Sequence, residues 1–187
     1  MKEVNLRKSN TIGLDLFLNT ILVAKPNLCK NIILKLSDFI ISSGCIEIEF
    51  RKMSSRAMGI SKTDICVLNS DVLLIPDEYT LYIMLHEISH QFQYKKYGKD
   101  IALDIYLDTI DLDAAAKRLL DIEQVADRLA ITKLNSILKL NKPIVPRYLG
   151  ITDLTQIKNH IRKIRFEVKE LNLSTIEEIN DHIQDSI

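Results

Sequence analysis

The chain has 187 residues, of which 47% are hydrophobic, so it can bury a core of the size usual for one domain. Its 25 basic residues balance its 25 acidic ones, which excludes the strong overall positive charge of a dedicated nucleic-acid-binding protein, although a local basic patch stays possible. No apolar run approaches the roughly 20 residues needed to cross a membrane. The charged N-terminus lacks the apolar segment of a secretory signal, and we therefore expect a cytoplasmic protein.

The three cysteines indicate reduced thiols rather than a disulfide scaffold. Cys29, Cys45 and Cys66 are odd in number and include no CxxC pair. We expect them to be mostly buried and without a role in chemistry.

The first part of the chain predicts two helices followed by a small sheet. Apolar residues recur at helical spacing over 12–25 and 27–43, and Ser43 and Gly44 end the second run. Strict alternation over 45–51 predicts a half-buried strand, and 53–62 has the composition of a loop. Two further strands, over 64–68 and 72–75, form a predicted hairpin around the turn-like segment 69–71.

A helix from about Glu78 to Tyr97 follows Pro76, with Asp77 as its predicted N-cap and Gly98 as its C-terminal stop. Its apolar residues share one face that can be buried in a core. These residues are Leu81, Met84, Leu85, Ile88 and Phe92.

The same helix contains the pattern HExxH at His86, Glu87 and His90. On a helix the two histidines lie about 40° apart and one turn above one another, with Glu87 on the same polar arc. Two imidazoles so placed can bind one zinc ion, and Glu87 then stands where a metal-bound water needs a general base. The alternative is a surface helix with two solvated histidines.

An aspartate-rich segment precedes the next long helix. Asp104, Asp108, Asp111 and Asp113 alternate with apolar residues, but their spacing does not match a calcium-binding loop. Helix caps and a solvated acidic face are therefore favoured over a second metal cluster.

The helix predicted over 112–140 has two carboxylates in its apolar sector. Glu123 and Asp127 share that sector with six apolar residues, namely Leu112, Ala116, Leu119, Leu120, Ala130 and Leu134. A buried carboxylate is costly unless it is paired or bound to metal. Glu123 can thus be a third zinc ligand, and Asp127 can accept the second ring N–H of a ligating histidine. The alternative is a pair of buried salt bridges to Arg128 or to a lysine elsewhere.

The remaining chain predicts a loop over 141–150 and a helix over 152–172 with a basic face. A capping box formed by Ser174 and Glu177 predicts a last helix that reaches about Asp185. A basic helix face is more often solvated than bound to nucleic acid, so no nucleic-acid partner is expected.

The HExxH helix, followed 33 residues after His90 by Glu123-Gln-Val-Ala-Asp127, resembles the gluzincin zinc metallopeptidases, whose second motif is ExxxD or ExxAD. The chain is most similar to the small single-domain SprT-like and ImmA/IrrE-like group, many of whose members are carried by phages and prophages. The resemblance covers about residues 45–140 and is specific only in the two motifs. The SprT pattern has a third histidine soon after HExxH, whereas here none follows until His160, which favours Glu123 as the third ligand.

The resemblance implies an α+β, minimal zincin-like fold, mainly helical, with a three-stranded antiparallel or mixed sheet beside the HExxH helix. It implies a metallopeptidase domain over 1–150, made of N-terminal helices over 1–44 and a core over 45–140 with both motifs, and a helical extension over 151–187. An edge strand of the cleft, 72–75 or 64–68, would bind extended substrate.

The same resemblance implies one Zn²⁺ per chain held by His86, His90 and Glu123, with Asp127 supporting the ligands. Peptide-bond hydrolysis in a protein or peptide substrate would then proceed through a zinc-bound water activated by Glu87. Tyr148 is the preferred donor to the oxyanion, chosen from Tyr94, Tyr97, Tyr106, Arg147 and Tyr148 because its loop can cross the cleft. The alternative function is a zinc-containing protein-binding module without proteolytic activity, and the oligomeric state is open.

Overall fold

The computed structural model describes residues 10–53, 58–62, 64–98, 100–138, 143–175, 178, 179 and 182. Six helices and three strands lie in these ranges. The helices are α1 (Leu14–Ala24), α2 (Lys30–Ser43), α3 (Asp77–Tyr97), α4 (Leu103–Tyr106), α5 (Leu112–Ile137) and α6 (Thr155–Glu170), and the strands are β1 (Glu47–Arg51), β2 (Gly59–Lys62) and β3 (Ile65–Asn69). No helix in these ranges is long and apolar enough to cross a membrane.

The three strands form one mixed sheet in the order β1-β3-β2. β1 pairs with β3 in parallel, with Ile48 opposite Cys66, and β2 pairs with β3 antiparallel, with Ile60 opposite Val67. The expected α+β class, mainly helical with a small mixed sheet, is confirmed.

The predicted hairpin was wrong in its choice of strands. Residues predicted as a loop supply β2, while 72–75, predicted as a strand, lies largely in a short 3-10 helix over Ser70–Leu74. The carbonyl oxygens of Val72 and Ile75 accept hydrogen bonds from the Thr80 hydroxyl instead of from a neighbouring strand. β3 is the central strand, so neither segment predicted as the cleft edge occupies an edge of the sheet.

The larger hydrophobic core surrounds α3, which is buried on nearly all sides. Its predicted apolar face is confirmed, since Leu81, Met84, Leu85 and Ile88 are each 0% exposed. α1, α2 and the sheet complete this core. Phe50 of β1 stacks on Phe17 of α1, with ring centroids 4.4 Å apart. Cys45 and Cys66 are buried as expected, whereas Cys29 is exposed.

A second apolar cluster joins α4, the N-terminal half of α5 and α6. Ile105, Ala115, Ala116 and Ile161 are each 0% exposed within it. Arg165 of α6 donates to the carbonyl oxygens of residues 105 and 110, so this part of the predicted basic face contributes to packing. The division into a domain over 1–150 and an extension over 151–187 stays a prediction.

The predicted N-cap of α3 is shifted by one residue. Pro76 occupies the N-cap position of α3, and Asp77 is the first helical residue, with its carboxylate 3.3 Å from the ammonium group of Lys25. At the C-terminal end, Thr175 and Glu178 form a reciprocal capping pair. Glu177 and most of the predicted last helix lie outside the described residues.

Candidate metal centre

The packing of α3 against α5 brings the two sequence motifs together. Nε2 of His86 lies 3.3 Å from Nε2 of His90 and 3.2 Å from Oε2 of Glu123. Nε2 of His90 lies 3.8 Å from the same carboxylate oxygen. His86, His90 and Glu123 form the one group in the described part of the chain whose histidine, cysteine or acidic side chains lie close enough to share a metal ion. No side chain of the aspartate-rich segment belongs to this group.

Each histidine is oriented through its other ring nitrogen. Nδ1 of His86 lies 2.9 Å from Oδ1 of Asp127, and Nδ1 of His90 lies 2.8 Å from Oε1 of Gln93. The Gln93 amide in turn donates to the carbonyl oxygen of Ile122 at 2.7 Å. With Nδ1–H donating to these oxygens, Nε2 is the atom of each ring that can bind a shared ligand, once any proton on it has been displaced.

Asp127 is 0% exposed and accepts hydrogen bonds from four donors. Oδ1 accepts from His86 and from the Tyr82 hydroxyl. Oδ2 accepts from the backbone N–H groups of Tyr148 and Leu149, at 2.8 and 3.2 Å. A buried carboxylate is tolerated when its lone pairs are satisfied in this way. Asp127 therefore joins a candidate metal ligand to the loop that carries Tyr148.

The alternative of salt bridges to Arg128 or a lysine is not what the structure shows. Arg128 is exposed and donates to the side chain of Gln124. Burial lowers the pKa of His86, but its hydrogen bonds to Asp127 and Glu123 outweigh burial and raise the pKa from 6.5 to about 10. Burial raises the pKa of Glu123, but the nearby His90 and His86 reverse the effect and hold it below its usual value. Without metal, a proton on His86 balances the carboxylates.

Glu87 of α3 lies beside this group, and its side chain packs against β2. Burial raises the pKa of its carboxyl, and the charges of His86 and His90 act in the opposite direction. Gly59 of β2 packs directly on this side chain, since a Cβ atom at Gly59 would lie 2.5 Å from Cγ of Glu87 and 2.9 Å from its Cδ. Only glycine at position 59 therefore leaves room for the Glu87 side chain where it now lies.

The five candidate oxyanion donors occupy different places. Tyr94 donates its hydroxyl to the carbonyl oxygen of Ser61, Tyr97 is 57% exposed at the end of α3, and Tyr106 is buried in the second apolar cluster. The Tyr148 ring stacks on the His86 ring, with centroids 5.9 Å apart and an interplanar angle of 20°. Arg147 covers the Tyr148 ring at 5.4 Å. Tyr148 and Arg147 are thus the two candidates next to the histidines.

The separations of the ligand atoms fit a tetrahedral metal ion. Ligands about 2.0–2.2 Å from a tetrahedral ion lie roughly 3.3–3.6 Å from one another. The observed separations of 3.2, 3.3 and 3.8 Å therefore require shifts of only a few tenths of an ångström. Two imidazoles and one carboxylate also leave a fourth position without a protein ligand in the described residues.

Sequence reasoning found the metal-binding group and Asp127 but missed three residues that shape the site. Gln93 stands three residues after His90, and a polar residue at that helical spacing was the available signal. Tyr82 and Gly59 gave none, because the contacts of Tyr82 with Asp127 and of Gly59 with Glu87 depend on the tertiary fold. Comparison with protein-family models, curated proteins and solved structures gives no match.

Proposed function

We propose that the chain is a zinc metalloendopeptidase of the gluzincin type, which hydrolyses a peptide bond in a protein substrate. The observation that carries this proposal is the convergence of the two Nε2 atoms of His86 and His90 with Oε2 of Glu123 beside the carboxylate of Glu87. Neither motif alone has this meaning, because two histidines one helical turn apart occur on many solvated helices. The added feature is the Glu123 carboxylate, which is distant from the histidines in sequence but lies within 3.8 Å of the Nε2 atom of each.

The ligand set favours a catalytic zinc ion over a structural one. Two histidines and one glutamate form one of the sets found at catalytic zinc, whereas structural sites use four protein ligands, usually including cysteine. Cys66 is buried, and burial together with the charge of Glu87 raises the pKa of its thiol. It does not belong to the converging group. Two imidazoles, each oriented by a hydrogen bond at its other ring nitrogen, together with one carboxylate suit zinc better than calcium or magnesium.

Glu87 is the proposed general base and acid. A bound zinc ion supplies Lewis acidity, which polarises the scissile carbonyl and makes water a better nucleophile. Glu87 accepts the proton of the attacking water and then delivers it to the leaving amine. Its burial against Gly59 restricts the carboxylate to the side of the histidines.

Tyr148 is the proposed donor to the developing oxyanion. Its backbone is fixed by the N–H donated to Asp127 and by the carbonyl oxygen that accepts from Gln124 at 3.3 Å. Its ring lies against His86. A donor preorganised in this way stabilises charge without the cost of reordering during the reaction.

β2 is the proposed substrate-binding edge. Asn69 N–H donates to the carbonyl oxygen of Met58, so the alternating antiparallel pattern directs the backbone groups of Gly59 and Ser61 away from β3. The Ser61 carbonyl oxygen accepts the Tyr94 hydroxyl, whereas Gly59 adjoins Glu87. An extended peptide paired with Gly59 would pass directly beside the proposed base.

The test compares hydrolysis by the zinc-loaded wild-type chain with that by Glu87→Gln. An unfolded protein mixture is incubated with each, and new N-termini are quantified by mass spectrometry with and without a chelator. We expect chelator-sensitive cleavage by the wild-type chain, a loss of roughly 10²–10⁴-fold in Glu87→Gln, and unchanged zinc content. Glu170→Gln, at an exposed position of α6, is the matched control.

Equal cleavage by Glu87→Gln would remove the proposed mechanism. A wild-type chain that binds zinc but cleaves nothing would favour the zinc-containing protein-binding module instead.

A further inference from the structure

Arg147 differs from the other arginines in the part of the chain that the structure describes. Five of these form a hydrogen bond or an ion pair through the guanidinium group, namely Arg51 with Glu49, Arg118 with Asp104, Arg128 with Gln124, Arg162 with Asn159 and Arg165 with Asp108. The Arg147 guanidinium has no such partner among the described residues and lies over the Tyr148 ring. It therefore keeps all of its hydrogen-bond donors for a ligand.

The backbone around Arg147 is nevertheless held firmly at the candidate metal centre. Its N–H donates to the Tyr82 hydroxyl at 3.2 Å, and the next two N–H groups donate to Asp127. The side chain is exposed and stacks on Tyr148, whose ring in turn stacks on His86. One aromatic ring thus separates the guanidinium from a proposed metal ligand.

The nearby polar groups of β2 are already engaged by the scaffold. The Gln91 amide donates to the Ser61 hydroxyl and to the backbone carbonyl oxygen of Lys62. An exposed guanidinium next to the site is suited to bind a carboxylate through two parallel hydrogen bonds.

We propose that Arg147 determines substrate specificity by binding a carboxylate of the peptide close to the scissile bond. This inference rests on the proposed peptidase function and deepens it, because it names acidic peptides as the substrate class. An endopeptidase would take this carboxylate from an Asp or Glu side chain; a preference for the C-terminal carboxylate, which presents the same chemistry, would instead make the proposed peptidase a carboxypeptidase. The backbone of Arg147 is held by the Tyr82 hydroxyl and the guanidinium lies over the Tyr148 ring, so less conformational freedom is lost on binding than for a side chain on a free loop.

The test measures binding rather than turnover, so that it does not depend on hydrolysis. The probes are tripeptides that carry a hydroxamate as the metal-binding group. The first series carries the hydroxamate at the C-terminal end, and the second series carries it at the N-terminal end. The residue next to the hydroxamate is Asp, Asn or Lys. In the second series each peptide also ends in a free acid or an amide, which separates the two sources of the carboxylate. Dissociation constants are measured on the zinc-loaded full chain.

The wild-type chain is expected to bind the Asp probe, or the free-acid probe, about tenfold more tightly than its neutral counterpart, the size typical of a hydrogen bond to a charged group. Arg147→Ala should abolish this preference, Arg147→Glu should favour the Lys probe, and Arg147→Lys should retain part of the preference. Arg162→Ala, at an exposed arginine of α6, is the matched control and should bind as the wild type does. Melting temperatures check that each variant is folded.

Probes that bind without any preference for a carboxylate would overturn the role of Arg147 while leaving the metal centre intact. A carboxylate preference that survives in Arg147→Ala would overturn it as well. If no hydroxamate binds the zinc-loaded chain, an accessible open position on the zinc ion is contradicted, and the inference falls with it. Tight, Arg147-dependent probe binding in a chain that hydrolyses nothing would uphold the inference as carboxylate recognition and refute only the peptidase activity.

Discussion

Oδ1 of Asp127 lies 2.9 Å from Nδ1 of His86, although the two residues stand 41 positions apart in the chain. This contact joins α5 to α3, and the second oxygen of the same carboxylate holds the backbone of the loop at Tyr148 and Leu149. One buried side chain thereby orients a proposed metal ligand and positions a proposed catalytic donor. Changes at Asp127 should therefore affect metal affinity and loop order together.

Asp127→Asn tests this double role. The amide has one acceptor oxygen where four donors meet, so its NH₂ group must face at least one N–H or O–H donor. We expect zinc affinity to fall about 10–100-fold and the free energy of unfolding to fall by about 1–3 kcal/mol. Competition with a chelating dye and urea denaturation measure the two effects. Asp121→Asn, at an exposed position of the same helix, is the control, and equal behaviour of the two variants would contradict the role of Asp127.

Gln93→Leu tests the support of the other histidine. The substitution removes the oxygen that accepts from Nδ1 of His90 and the amide that donates to Ile122, and it leaves both groups buried. We expect a roughly tenfold loss of zinc affinity, smaller than the loss caused by replacing His90 itself. Gln156→Leu on α6, at an exposed glutamine, is the comparison. An unchanged dissociation constant for zinc would show that Gln93 does not orient His90.

Gly59→Ala tests the contact between β2 and the proposed base. The added Cβ atom would stand 2.5 Å from Cγ of Glu87, so the carboxylate must shift. We expect normal zinc content, a lower kcat for peptide hydrolysis, and a loss of about 1–3 kcal/mol in stability from overpacking. In a Glu87→Ala background the same substitution should cost less, and a double-mutant cycle measures the difference. Equal costs in both backgrounds would place the strain elsewhere.

The raised pKa of His86 links zinc binding to proton release. At pH 7.5 the metal-free side chain is protonated, because its pKa is raised from 6.5 to about 10 by Asp127 and Glu123 against the effect of burial. Its contribution to the stability of the metal-free chain is complete below about pH 6.5 and is lost as the pH rises through 10. Zinc must displace the Nε2 proton, so titration calorimetry in buffers of different ionisation enthalpy should reveal the release of about one proton from His86. Heats that do not depend on the buffer would contradict this.

The helical part of the site was predictable because the helix period alone fixes which residues share a face. His86 and His90 follow from that period, as do Glu123 and Asp127, and the cost of burying carboxylates in an apolar sector indicated that they needed partners. The structure places them at those partners. Local periodicity was sufficient here because both halves of the site lie inside long helices.

The edge of the sheet was not predictable for the opposite reason. β2 has no alternation of apolar and polar residues, and all four of its residues are only partly buried. Its place is set by β3 and by Gln91 and Tyr94 of α3, which bond to its polar groups. The apolar run over 72–75 resembles a strand, yet Leu74 is 83% exposed. The Thr80 hydroxyl donates hydrogen bonds to the carbonyl oxygens of Val72 and Ile75. Contacts with residues distant in sequence therefore determine the conformation of both segments.

The most direct measurement of the central claim is the zinc content of the purified chain and of its Glu123→Ala variant. Mass spectrometry of the metal in gel-filtered protein gives the number of ions per chain, with Glu170→Ala as a control at an exposed glutamate of α6. We expect about one zinc ion per chain in the wild type and in the control, and nearly none in Glu123→Ala, because two histidines alone leave a catalytic site one protein ligand short. A folded Glu123→Ala chain that retains one zinc ion would contradict the assignment of Glu123 and, with it, the proposed metal centre.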